Sequence, residues 1–185
     1  MIRLSRKLIL PAALMAALIQ SAAVGKMVID RNTLLRNGQE VRLETGFVDP
    51  RDIFRGHYVT LRLEISQFPQ DSVETLGDPL IRDPVWIELS EGDDGFWQPV
   101  RLYTAQPDAP AGPLLRGELL GMYNDAYTIR YPVDRYFAPE LRAKELEQFR
   151  RDDKLGVILA LSPDGQAAIK GLTVAGETVY VEPLY

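Results

Sequence analysis

The 185-residue sequence contains no cysteine. That absence excludes a disulfide framework, a thiolate nucleophile, a thiolate zinc site and a lipid-modified cysteine. It has a single histidine, His57, so a His-rich metal site is excluded too. Cations are in deficit, with 21 Lys and Arg against 26 Asp and Glu. Four of those cations, Arg3, Arg6, Lys7 and Lys26, fall in the first 26 residues, which hold no acid. Residues 27–185 therefore carry 17 Lys and Arg against 26 Asp and Glu, a net charge of −9. So acidic a surface argues against nucleic acid, whose affinity rests on neutralised phosphates. No G-x-S-x-G elbow is present, and none of the six serines (Ser5, Ser21, Ser66, Ser72, Ser90, Ser162) has a hydrolase signature around it. The acidic stretches "DPRD" (49–52) and "EGDDG" (91–95) lack the spacing of a calcium loop and read as turns. Heptads, low-complexity tracts and convincing internal repeats are missing, and no cofactor is expected.

One long apolar run is present, at the N-terminus. After three cations the chain is uncharged from Leu8 to Gly25, and Met27-Val28-Ile29 extends the run past Lys26. Roughly 20 helical residues at ~1.5 Å each match a bilayer's hydrocarbon core. Residues 8–29 are expected to form a transmembrane signal-anchor in contact with the lipid bilayer, with Pro11 tolerated in the first turn and Lys26 snorkelling to the head groups. Residues 1–7 are the basic cytoplasmic end, and 30–185 form one extracytoplasmic domain, since short basic flanks stay inside. In a bacterium this makes a single-pass inner-membrane protein with its C-terminal domain in the periplasm. The alternative is a cleaved signal peptide, with Ser21-Ala22-Ala23 ahead of a cut before Val24.

The remaining chain reads as mainly β. Asn37-Gly38 predicts a turn, and Val41 and Leu43 alternate with polar residues in a strand. From His57 to Ser66 the alternation is the clearest in the chain, with Val59, Leu61, Leu63 and Ile65 on one face. Residues 67–83, with their Pro, Gly and Asp, read as a loop. A hairpin is predicted over 84–103 with its turn at Gly92 to Gly95, then a proline-punctuated loop over 104–113. Strands follow at 114–122 and 127–131, and a three-strand meander runs from Lys154 to Leu184. One short helix is signalled after Pro139, ending near Arg150 and Arg151. The expected architecture is an antiparallel sheet, or a small barrel or sandwich, with that helix: mainly β (α+β).

The segment "VDPRDIFRGHYVTLRL" (48–63) resembles the defining motif of the bacterial GDYxxLxY family, with Gly56, Tyr58 and Leu61 matching. His57 replaces the motif's Asp and Leu63 its final Tyr. "DRYFAPE" (134–140) with "ELE" (145–147), and "SPDGQAAIKGL" (162–172), resemble later landmarks of that family. The resemblance implies a short, exported, membrane-anchored protein of unassigned biochemical role, sometimes encoded beside polytopic membrane proteins.

The candidate residues cluster in two places. Asp49, Pro50, Arg51, Asp52, Arg55, Gly56, His57, Tyr58 and Leu61 form a charged turn and the strand after it. Arg135, Tyr136, Phe137, Pro139 and Glu140 precede the helix. By parity His57 shares a face with Val59 and Leu61, so it reads as a polar plug at a strand start more than a general base. Asp49, Arg51, Asp52 and Arg55 are either a local clamp or a partner surface. Two functions stay open. One is a non-enzymatic binding or accessory domain for a membrane-protein partner; the other is an envelope enzyme using carboxylates with Tyr58 or His57.

Overall fold

The computed structural model describes residues 6–46, 59–60, 62–133, 135–136, 155–174 and 176–181. Helix α1 spans Arg6–Asn37, so the apolar run is helical throughout and the helix continues eight residues past Ile29. Pro11 falls in its second described turn, not the first as expected. Leu14, Leu18, Ile19, Val24 and Met27 are all exposed, and the stretch Leu10–Asn37 is long and apolar enough to cross a membrane. Only the last turns meet the domain. Leu35 is buried, α1 packs on two strands of the domain, and the Arg31 guanidinium reaches the Ala167 carbonyl at 3.5 Å. Gly38 stops the helix: its N–H donates to the Leu34 carbonyl at 2.8 Å, and a Cβ there would lie 2.6 Å from that oxygen and 3.0 Å from the Ala160 Cβ.

Strand β1 (Gln39–Gly46) follows directly, burying Val41 and Leu43. The long strand predicted from His57 is corrected: the described part is β2 (Val59–Thr60) and β3 (Arg62–Leu63), then a 3-10 turn at Glu64–Ser66. The alternation survives where side chains are described, with Leu63 and Ile65 buried and Glu64 exposed. What breaks the strand is a change of partner, since β3 pairs with β1 whereas β2 pairs with β10 (Arg135–Tyr136). The predicted 67–83 loop is corrected as well. It contains β4 (Gln67–Pro69), a 3-10 turn at Gln70–Ser72 and β5 (Glu74–Leu76). Phe68 and Val73 pull this segment inward, Phe68 meeting the Tyr127 ring edge-on at 5.9 Å.

The remaining expectations hold within a residue or two. Strands β6 (Pro84–Glu91) and β7 (Trp97–Tyr103) form the hairpin. Strands β8 (Leu114–Tyr123) and β9 (Ala126–Arg130) form the next, joined by Asn124 and Asp125, both at positive φ as a tight hairpin turn requires. Strands β11 (Leu155–Leu161), β12 (Ala167–Val174) and β13 (Glu177–Val181) are the C-terminal meander. The helix predicted after Pro139 lies outside the described residues.

Two curled sheets enclose one core. The first has the order β13-β12-β11-β1-β3 and the second β4-β9-β8-β6-β7-β5. All pairings within them are antiparallel except β5 with β7. Leu43, Val157 and Leu159 from the first sheet and Val85, Ile87, Leu102 and Leu115 from the second are fully buried against one another's layer. At ~25 cal/mol per Å² of apolar area, such burial is the dominant favourable term.

The sheets also grip each other by their turns. Trp86 alternates with Val85 and Ile87 and so faces away from the core, where the β11–β12 turn reaches it. The Trp86 indole N–H donates to the Asp164 carbonyl at 3.1 Å, and the Arg116 N–H donates to the Gly165 carbonyl at 2.8 Å. Gly165 sits at φ +86°, where a Cβ would come within 3.1 Å of the Arg116 nitrogen. In return the β6–β7 turn lays Phe96 over Gly156 of the first sheet; a Cβ on Gly156 would be 2.8 Å from the ring and 2.5 Å from the Thr173 hydroxyl.

Candidate functional site

The outward face of the second sheet carries an acid that is not solvated. Glu88 stands on β6 between Ile87 and Leu89, and its side chain is 2% exposed. Its cover is the proline-rich 104–113 loop: a Cβ on Gly112 would lie 2.3 Å from the Leu89 carbonyl and 3.5 Å from the Glu88 side chain, and the Leu89 N–H donates to the Pro113 carbonyl. The carboxylate is fully engaged. Tyr103 donates its hydroxyl to Oε2 at 2.6 Å, and Arg101 donates through Nη1 to Oε1 at 3.2 Å. Arg101 also donates through Nε to Glu74 on β5 at 2.8 Å. The hydrogen bond to Glu88, reinforced by burial, pushes the Tyr103 phenol above its ordinary range. Glu74 first, then Glu88, raise the Arg101 guanidinium further. The Glu88 carboxylate is thus ion-paired with a guanidinium and hydrogen-bonded by a phenol. Its chemistry is that of a tie across β5, β6 and β7 beneath the loop.

Beside this tie a groove of about 740 Å³ opens between the two sheets. Asn37, the last residue of α1, and Gln39, the first of β1, line one side; Ser90, Glu91 and Trp97 line another. The 104–113 loop contributes Gln106, Asp108 and three prolines, and the β11–β12 turn contributes Ser162 and Pro163. The groove is therefore built where the helix enters the domain. From Ile29 to Asn37 is eight residues, about 12 Å of helix. Its polar groups are largely unspent. Among the described residues, the side chains of Asn37, Gln39, Ser90, Glu91, Gln106 and Asp108 make no hydrogen bond or ion pair, and no lysine or arginine lines the walls. Ser162 is the exception: its hydroxyl accepts from the Gln166 N–H at 2.9 Å and donates to the Asp164 carboxylate. That bond, with the Gln166 amide on the other oxygen, holds the Asp164 carboxyl below its usual range.

Asp49, Pro50, Arg51, Asp52, Arg55, Gly56, His57, Tyr58, Leu61, Phe137, Pro139 and Glu140 are outside the described residues. Arg135 and Tyr136 are placed by their backbone in β10, paired with Thr60 and Val59 respectively. The "EGDDG" stretch is the turn it reads as, with Asp94 accepting the Phe96 N–H at 3.1 Å. Sequence reasoning passed over the groove, because a wall of Asn, Gln, Ser and Pro has no spacing signature. The one available sign was three prolines in ten residues between two strong strands.

An apolar N-terminal helix, long enough to cross a membrane, runs without a break into a mainly antiparallel β domain. The chain belongs to the GDYXXLXY protein family, whose model matches residues 20–172, from the middle of α1 into β12. Neither a curated protein nor a solved structure matches the chain.

Proposed function

We propose that this protein is a membrane-anchored, non-enzymatic accessory domain that binds and stabilises a membrane-protein partner. In this reading residues 8–29 span a bacterial inner membrane uncleaved, residues 1–7 stay in the cytoplasm, and 30–185 work in the periplasm. The observation that carries it is the helix junction. Helix α1 leaves the apolar stretch, continues unbroken through Ala23 and past Ile29, and is seated in the domain by Leu35. A domain that only needed to stay near a membrane would be served by a flexible linker. A rigid helix fixes height and orientation, as docking against a neighbour in the same bilayer requires. The 49–58 segment and the β10 pair Arg135 and Tyr136 are the proposed additional contact surface.

The test is cross-linking in native membranes followed by gentle extraction. An integral membrane protein should co-purify in fixed ratio, and inserting a ten-residue Gly-Ser linker after Ile29 should abolish that ratio while leaving the anchor in place. Recovery of a free monomer alone, or a mature N-terminus at Val24, would sink the reading.

A further inference from the structure

We propose that the groove between the sheets is a binding site for a short, extended, lysine- or arginine-bearing polypeptide segment that emerges from the bilayer beside α1. This rests on the accessory reading above and specifies which part of the partner is held. Charge selects the occupant first. The walls present two carboxylates, Glu91 and Asp108, with no ion pair among the described residues and no lining cation. An anionic head group or phosphate would be repelled by both carboxylates, whereas an ammonium or guanidinium would be attracted by them. Trp97, half-buried and packed against the core, adds an aromatic side chain to the groove wall.

Hydrogen-bonding capacity selects next. Asn37, Gln39 and Gln106, all exposed to solvent along the groove, each offer an amide donor and an amide acceptor, and the exposed Ser90 a hydroxyl, so a segment lying there meets these groups in place of water. That alternation matches a peptide backbone, which presents one donor and one acceptor per residue, and no small cation spends it. The prolines of the 104–113 loop stiffen one wall, so less order is lost when a segment lies along it. Position selects last. Asn37 is about 12 Å of helix beyond the apolar run, so the groove reaches the stretch of a partner just outside its own span and not a remote domain.

The experiment uses the detergent-solubilised full chain and a fluorescein-labelled peptide, Gly-Pro-Lys-Pro-Gly-Lys-Pro-Gly, with its Lys-to-Glu counterpart as the comparison, read by anisotropy. The lysine peptide should bind at least about tenfold more tightly than the glutamate one. The double variant E91Q/D108N should weaken it by about tenfold and flatten its salt dependence. The variant D71N/D78N, which neutralises two exposed acids away from the groove, should leave binding unchanged. Should E91Q/D108N fold poorly, a photo-cross-linker decides in the otherwise natural chain: placed at position 106 it should capture the lysine peptide, and at position 123 it should not. Equal binding of the two peptides, equal loss in D71N/D78N, equal capture at 123, or displacement of the peptide by an equal concentration of spermidine each overturns the proposal. A membrane-protein complex that survives E91Q/D108N would leave the accessory reading standing and remove the groove from it.

Discussion

At the scale of single residues, position along a strand says less than what arrives from elsewhere to cover it. Glu88 alternates with Ile87 and Leu89 and reads as an outward, solvated acid, yet its side chain is 2% exposed. The cover is a loop whose path no local pattern encodes. Replacing it tests the tie directly. Glu88→Ala removes the acceptor for the Tyr103 hydroxyl and opens a void under Gly112 where the buried Glu88 side chain sat, so it should destabilise the domain by about 2 kcal/mol; Glu88→Gln, which keeps the shape, should cost about half that. A shift in urea midpoint at constant slope reads both. Asp164 offers a pH signature. Held below its usual range by Ser162, it binds a proton less readily folded than unfolded. It therefore stabilises the fold above the ordinary carboxyl value of 3.8, and that contribution is lost as pH falls through the lower folded value. Asp164→Asn should flatten the acid limb of a midpoint-versus-pH series between about pH 5 and pH 3. Parallel falls in the two proteins would remove Asp164 from the acid response.

At the scale of elements, legibility follows length. The strands from Pro84 to Tyr103, from Leu114 to Arg130 and from Leu155 to Val181 are five to ten residues long and carry a period of two or a continuous apolar run bounded by Gly, Pro, Asn or Asp. All of these are read from sequence almost to the residue. The segments that escaped are two or three residues long, β4, β5 and β10, while β2 and β3 were legible but as one continuous strand. Two residues define no period, and each of these strands exists because a distant partner supplies its ladder. The apolar helix was legible as far as Ile29, but its last eight residues were not, because Arg31, Asn32 and Arg36 make that stretch look like the start of a loop. Leu35 is what commits it to the helix. Leu35→Ala should loosen the junction by about 2 kcal/mol without unfolding the sheets. Spin labels at positions 24 and 118 should show a wider distance distribution in the variant, and an unchanged one would mean that the junction is set by Gly38 alone.

At the scale of the whole molecule, composition and alternation foretold a mainly β domain on a single apolar helix; the order of the strands they did not. That order depends on pairings such as Leu43 with Val157, 114 residues apart, for which neither residue carries a local mark. The same pairing bears on how the chain comes into being. Strand β1 is the first part of the domain to leave the ribosome, but its main partner, β11, follows at ~5–20 residues per second, on the order of ten seconds later. The β11–β12 turn that grips Trp86 comes later still. By the end of that interval every strand of the second sheet has been made, while β1, fixed to the helix, has only the two-residue β3 beside it and its other edge open. Closing so distant a pair is slow, and open edges of this kind are where chains aggregate. The molecule is thus most vulnerable during its own synthesis, and a chain truncated before Leu155 should be degraded or captured by other factors as a species that never closes.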